Sequence, residues 1–293
     1  MQDISTRLGA AVQQLLEQDI PTPRLDAELL LAHVLNVDRA WLVAHGDEEL
    51  ESSKVREFES LLQRRLNHEP IAYIVGYKEF YGRDFIVTPD VLIPRPESET
   101  AIDVLKQIDA EAGRKKEEGR TLLDVGCGSG CLGITAKLEL PELDVTMCDI
   151  SKPALAVARR NADTLSADVT TIHSDLLSVF LRSSKIKNPK SKIHFDFIVA
   201  NLPYVDRSWD VSPELRHEPD SALYTEQQGL KLIKTLVSQA PSVLVPSGHL
   251  LLEADPCQHQ EIARYGKQHE FEVVETRGYI VVLRNIFYRS SKL

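Results

Sequence analysis

The run Thr121-Leu-Leu-Asp-Val-Gly-Cys-Gly-Ser-Gly130 places glycines at alternate positions directly after an apolar stretch. Without Cβ atoms, such a loop can turn tightly and let a ligand approach its backbone. Alone, a glycine-rich loop is a weak signal, and the alternative is a tight turn with no ligand. Support comes from Asp149, at the end of the next strand-like run, Met147-Cys-Asp-Ile150. A carboxylate there can accept hydrogen bonds from both hydroxyls of a ribose. The rival fingerprint is the dinucleotide-binding G-x-G-x-x-G, but Cys131 stands where its third glycine would be. Asp124 separates the two ligands further. A carboxylate attracts the sulfonium and amino group of S-adenosylmethionine, whereas it repels a pyrophosphate. The residues therefore favour S-adenosylmethionine, with S-adenosylhomocysteine as product. The candidate cofactor residues are Asp124, Gly126, Cys127, Gly128, Ser129, Gly130 and Asp149.

A second constellation follows the strand-like run Phe195–Ala200, which leads straight into Asn201-Leu-Pro-Tyr204. In α/β sheets, ligands bind outside the carboxyl ends of the strands, so this loop should border the cofactor crevice. The residue types suit methylation of a planar amide or amino nitrogen. An amide lone pair is delocalised into its carbonyl, so the site must hold both N–H groups and aim the nitrogen. Asn201 Oδ1 can accept one N–H, the Leu202 carbonyl can accept the other, and Tyr204 offers a flat face. Pro203 biases residue 202 toward extended geometry. No strong base is required if the proton leaves after transfer, so positioning and electrostatics carry the rate. The alternative is an ordinary turn, since Asn and Pro are common turn residues.

The elements that must position these residues are legible from periodicity. Leu8, Val12, Leu15 and Leu16, then Val55, Phe58, Leu61, Leu62 and Leu66, recur at helical spacing. Between them, Asp26–Leu35 suits a buried helix preceded by the breakers Pro21 and Pro23. A helical domain over 1–68 follows. Over 69–97 the short β-rich runs Ala72–Val75, Asp84–Val87 and Val91–Ile93 predict a linking hairpin. The remainder, 98–293, opens with a helix over Ser98–Ile108 and the charged stretch Glu111–Arg120. Strand-like runs follow at Thr121–Val125, Asp144–Ile150, Val169–His173, Phe195–Ala200, Gly248–Glu253, Phe271–Glu275 and Tyr279–Leu283. They alternate with helix-like runs at Leu132–Leu140, Pro153–Thr164, Gln227–Leu244 and Gln258–His269. Such alternation implies a mostly parallel sheet covered by helices. The last two strands are joined by too short a link for a crossover and must be antiparallel.

Bulk properties bound the partners. The chain has 293 residues, 43% hydrophobic and 27% charged, as in an ordinary globular protein. No apolar run approaches the roughly 18 residues that span a bilayer, and the N-terminus lacks a signal-peptide layout. A cytoplasmic protein without a membrane partner is expected. The formal net charge of −10 lacks the basic footprint of a nucleic-acid binder, so stable nucleic-acid binding is not expected. Cys127, Cys131, Cys148 and Cys257 form no CxxC pair and read as buried free thiols, with no metal site. The basic run Arg182–Lys192 resembles an insertion. It is either a solvated loop or an auxiliary contact to an acidic partner or to RNA.

A seven-stranded sheet ending in an antiparallel pair resembles the class I methyltransferases. Asn201-Leu-Pro-Tyr204 resembles the Asn-Pro-Pro-Tyr motif of enzymes that methylate planar nitrogens. Within them the chain is similar to the HemK/PrmC release-factor glutamine methyltransferases. The similarity runs through Arg24-Leu-Asp-Ala-Glu-Leu-Leu-Leu31, Pro70-Ile-Ala-Tyr-Ile-Val-Gly76 with Glu79-Phe80, and Leu92-Ile-Pro-Arg-Pro-Glu-Ser-Glu99. It continues in Leu123–Gly130, Glu218-Pro-Asp-Ser-Ala-Leu223 and Gly229-Leu230. The resemblance implies S-adenosylmethionine held by Gly126–Gly130, Asp149, Asp175, Leu176 and Asn201. It implies a glutamine site at Asn201–Tyr204 and, as protein substrate, the Gly-Gly-Gln glutamine of a peptide chain release factor, docked by the helical domain. Two positions depart from the family pattern: Leu202 replaces its first motif proline, and Leu176 offers adenine less packing than an aromatic residue. An adenine-N6 methyltransferase and a catalytically silent binding protein are the competing readings.

Overall fold

The computed structural model describes residues 3–111, 119–183 and 194–287. The basic run from 184 to 192 and most of the charged stretch after Glu111 lie outside the described residues. The chain forms two compact units, Met1–Tyr77 with Val211–His217, and Lys78–Asp210 with Glu218–Leu293.

In the first unit, α1 (Ile4–Glu17) is capped by Asp3, whose carboxylate accepts the Thr6 N–H at 2.7 Å. It buries Ile4, Leu8, Ala11 and Leu15; Leu16, expected on that stripe, is 51% exposed. Pro23 does not merely precede α2 (Pro23–Leu35) but opens it, at the position where a missing N–H has no consequence. A short α3 (Arg39–Ala44) and α4 (Ser52–Leu66) follow. The expected strand at Ala72–Val75 is instead one turn of helix, α5 (Ile71–Val75). Pro70 and Gly76 (φ +88°) bracket it, and burial of Ala72, Tyr73 and Ile74 overrides the β-branched composition. Buried Arg65 donates to Asp26 at 2.7 Å, to the Glu69 carbonyl at 3.2 Å, and to Glu214 of the Val211–His217 segment.

In the second unit a hairpin, β1 (Tyr77–Phe80) and β2 (Arg83–Ile86), turns through Tyr81 and Gly82, both at positive φ. Val91–Ile93 is not a strand: the Ile93 N–H donates to the Glu218 carboxylate at 3.0 Å rather than to a neighbouring strand. After a 3-10 turn, Pro96–Ser98, come α6 (Glu99–Glu111), β3 (Thr121–Val125), α7 (Cys131–Glu139), β4 (Asp144–Asp149), α8 (Lys152–Thr164) and β5 (Val169–His173). Next are α9 (Ser178–Ser183), β6 (Phe195–Ala200), α10 (Asp220–Leu223), α11 (Lys231–Gln239), β7 (Leu244–Glu253), α12 (His259–Gln268), β8 (Phe271–Arg277) and β9 (Ile280–Asn285). The helix expected over Gln227–Leu244 is shorter because Gln227, Gln228 and Gly229 hold positive φ and Pro241 ends it in a 3-10 turn.

The seven-stranded sheet runs β5-β4-β3-β6-β7-β9-β8, with β9 antiparallel to both neighbours. Both faces are covered: on β6, Phe197 and Val199 enter one apolar core, while Phe195, Ile198 and Ala200 enter the other. That two-sided burial explains near-continuous apolar strands. The strand order reverses between β3 and β6, so the crevice beyond their carboxyl ends is where an α/β sheet binds ligands.

Candidate active site

The loop after β3 is pinned to the end of β4. Gly126 and Cys127 N–H groups donate to the Cys148 carbonyl at 2.8 and 3.0 Å. Asp149, the last residue of β4, accepts the Gly128 N–H on Oδ2 at 2.9 Å and the Ser151 N–H on Oδ1 at 2.7 Å. Ser151 in turn caps α8. From the other side, fully buried Asn161 of α8 donates to the Ser129 carbonyl at 2.9 Å. These bonds border a cavity of about 290 Å³ lined by Gly126, Gly128, Asp149, Asp175, Leu176, Asn201, Leu202 and Pro203. Ile150, 62% exposed, adds an apolar wall. Leu176 holds a strained φ of +44° there, with its carbonyl bonded by Ser174 Oγ at 2.8 Å.

Asp124, Cys127, Ser129, Gly130 and Tyr204 are not among the lining residues. Asp124 lies beneath the loop, 1% exposed, and its Oδ2 accepts the Gly133 N–H at 2.9 Å inside the first turn of α7. Burial pushes its carboxyl up to about 7, against that hydrogen bond. Burial also pushes the Cys131 thiol up to about 12 and raises Cys127 and Cys148, so these thiols stay neutral. Cys257 is exposed, contrary to the expectation of burial, because it sits in a surface 3-10 turn.

The acceptor half grows from the ends of β6 and β7. Leu202 is 4% exposed and closes on the glycine loop: a Cβ on Gly126 would meet its Cδ2 at 2.8 Å. Tyr204 is held at its carbonyl by Gln258 Nε2 at 2.9 Å and at its hydroxyl by Glu253 Oε1 at 3.3 Å. Gly229 packs so closely that a Cβ there would lie 1.9 Å from the Tyr204 carbonyl oxygen. Burial and the neighbouring Glu253 carboxylate raise the Tyr204 phenol, which stays protonated. Asn201 Nδ2 donates to Ser98 Oγ at 3.2 Å. The Ile93–Arg95 segment is anchored through Glu218, which accepts from Arg95 and from the Ile93 N–H.

Sequence reasoning missed Ser151, Asn161, Ile150, Ser98, Glu253 and Gln258. The Ser-x-Pro start of α8 was a readable helix cap. The others are brought in from distant elements and carry no local signature. The donor set suits S-adenosylmethionine: Asp149 has lone pairs left for ribose hydroxyls, apolar Ile150 and Leu176 can flank an adenine, and the glycine loop leaves its backbone approachable. Among the described residues, no three His, Cys, Asp or Glu side chains are placed to hold a metal ion.

A family model described as the PrmC N-terminal domain matches residues 8–76, and one described as a methyltransferase small domain matches 98–218. The "Release factor glutamine methyltransferase" of Koribacter versatilis is 39% identical over 255 residues, covering 84% of this chain and 86% of its own. That of Neisseria gonorrhoeae is 40% identical, covering 79% and 80% respectively. The "Bifunctional methyltransferase" of Rickettsia conorii is 33% identical over 91% of this chain, which spans only 53% of that longer protein. Among solved structures, a Pyrococcus furiosus methyltransferase superposes with a TM-score of 0.50 at 19% identity, covering 78% of this chain and all of its own. A T. thermophilus 16S rRNA N2 G1207 methyltransferase, solved with AdoMet and guanosine, also gives 0.50 at 17% identity, covering 71% of this chain and 49% of its own. These two likenesses show the class I methyltransferase fold, and the β8–β9 antiparallel pair closes this chain's sheet. With its methyltransferase domain, its matching N-terminal domain and relatives aligned over most of both chains, this S-adenosylmethionine-dependent methyltransferase belongs to the release factor glutamine methyltransferase family.

Proposed function

We propose that the chain methylates the side-chain amide nitrogen of the Gly-Gly-Gln glutamine in a translation release factor, in the cytoplasm, and that the helical unit docks that factor. The observation that carries this reading is the meeting of two residue sets at one cavity. Asn201, Leu202 and Pro203 line it together with Asp149 and the glycine loop. Bound S-adenosylmethionine supplies an electrophilic methyl carbon. Asp149 would hold its ribose, Gly126 and Gly128 would admit its approach, and Ile150, Leu176 and Ala154 would flank its base.

Asn201 Oδ1 and the Leu202 carbonyl would accept the two N–H groups of the glutamine amide, turning its nitrogen toward the donor. Tyr204, fixed at both ends, would supply the flat wall for the amide plane. Holding the reacting atoms in place is worth several orders of magnitude in rate without any strong base. The test is mass spectrometry of a release factor incubated with enzyme and S-adenosylmethionine. A gain of one methyl group on the Gly-Gly-Gln glutamine is expected. Labelled methyl appearing in DNA but not in the factor would overturn the reading in favour of adenine methylation.

A further inference from the structure

The end of β7 carries a carboxylate whose only task in the reading above is to hold the Tyr204 hydroxyl. Glu253 is 2% exposed, and its hydrogen-bond partners are neutral: Ser98 on one oxygen, the Tyr204 hydroxyl on the other, and the Asn201 side-chain amide, which also donates to it. Buried carboxylates normally sit against a cation, and one that does not lowers stability. Its retention here asks for a reason, and the direction of the hydrogen bonds supplies one. An ionised carboxylate can only accept, so Ser98, itself 1% exposed, must give Glu253 its single proton. The Ser98 oxygen is then left as an acceptor, and Asn201 meets it with Nδ2 at 3.2 Å. An amide that turns its NH2 inward presents its Oδ1 outward.

We propose that Glu253 and Ser98 are positioning residues that act through Asn201, fixing the side-chain amide so that Oδ1 faces the glutamine to be methylated. The inference rests on the acceptor role given to Asn201 under the proposed function. Were residue 253 able to donate, Ser98 would be free to point its proton at Asn201. The Asn201 amide could then flip and set its NH2 against the NH2 of the substrate.

Burial raises the Glu253 carboxyl above its usual range, against the pull of Ser98, Tyr204 and Asn201 and with the help of Glu97 from the 3-10 turn. Cys131 at the start of α7 also faces it, and Arg95 and Tyr279 act on Tyr204 behind it. Turnover requires the ionised form, so it should fall as pH drops through this raised value. Stability has the opposite sign. A raised carboxyl stabilises the fold below its unfolded value and loses that contribution as pH rises through the folded one. Glu253→Gln should therefore melt no lower than the native protein at alkaline pH.

The experiment measures kcat against pH, donor affinity by calorimetry and thermal melting, using a release factor and S-adenosylmethionine. The native protein is compared with Ser98→Ala, Ser98→Thr and Glu253→Gln. Ser98→Ala and Glu253→Gln should lose about 10- to 100-fold in kcat, with donor affinity held within about twofold. Ser98→Thr keeps the hydroxyl and should stay within about threefold of native. The acid limb of the native profile should lie above the ordinary glutamate value of about 4.3 and disappear in Glu253→Gln. Native-like turnover in both Ser98→Ala and Glu253→Gln would overturn the relay alone, as would Ser98→Thr falling as far as Ser98→Ala. If a variant fails to fold, a native acid limb lying at or below the ordinary glutamate value of about 4.3 does the same. A native chain that leaves the release factor unmethylated sinks the substrate reading and the relay together.

Discussion

Asp149 spends one lone pair of each carboxylate oxygen on the backbone, one on Gly128 and one on Ser151, and keeps the others for a ligand. Asp149→Ala should therefore loosen the loop as well as remove the proposed ribose acceptor. We expect methyl-donor binding to weaken by about 1–3 kcal/mol in calorimetry; unchanged affinity would take Asp149 out of the site. Asn201 and Leu202 differ in what they offer. Asn201→Ala should lower turnover by about 10²-fold or more, and Asn201→Asp should also be impaired because its charge must be desolvated. Leu202 offers its carbonyl, which Leu202→Pro preserves, so turnover should hold within a few-fold. Its side chain, however, is buried against the glycine loop, and the smaller ring should lower stability by about 1 kcal/mol in denaturant melts. Activity that appears only in Leu202→Pro would mean the native chain is a lapsed enzyme. The lining residues Gly126, Gly128, Asp149 and Asn201–Pro203 were legible because loops after strands advertise themselves by glycine, acid and Asn-Pro chemistry. Glu253 and Ser98 were not: each looks ordinary in its own segment, and only the fold makes them neighbours.

Elements with a strong local pattern, such as the helical stripe of α4 and the apolar run of β3, could be read from sequence, and those whose conformation is set by tertiary contacts could not. Composition at Ala72–Val75 says strand, yet Pro70 and Gly76 close a helical turn around it. Val91–Ile93 says strand too, yet it forms an irregular segment whose Ile93 N–H is taken by the side chain of Glu218, more than a hundred residues away. The same logic makes α8 more than a cover for the sheet. Its Asn161 exchanges two bonds with the Ile86 backbone, accepting at 2.7 Å and donating at 3.0 Å, and a third reaches Ser129 in the glycine loop. One buried amide thus ties the hairpin to the glycine loop. Asn161→Ala should orphan those three backbone groups at about 1–3 kcal/mol each. The expected result is a marked drop in the denaturation midpoint together with weaker donor binding. Loss of stability without any loss of donor affinity would show that the loop does not depend on α8.

At the scale of the whole molecule, the proposed division of labour between the two units can be tested by cutting. Every residue lining the cavity belongs to the Lys78–Asp210 and Glu218–Leu293 unit, so donor binding is expected not to need the helical unit. The helical unit nonetheless claims Val211–His217, a segment of chain that lies between the Asn201–Tyr204 motif and Glu218. Within that unit Arg65, 3% exposed, bonds Asp26 and Glu214, while His217 Nε2 meets the Asn67 carbonyl at 3.1 Å. This crossing could not be read from sequence, because nothing in Val211–His217 distinguishes it from the loop around it. Deleting Met1–Tyr77 strips that segment of its partners, so circular dichroism and melting must first show that the remainder folds. Given a folded remainder, we expect donor affinity within about twofold of native and no detectable methylation of an intact release factor. A short Gly-Gly-Gln peptide should then be methylated about equally poorly by the cut and the full chain, since it reaches the motif but lacks the surface that the helices would hold. Full activity of the cut chain on the intact factor would remove the helical unit from substrate docking and leave its packing around Val211–His217 as its only role.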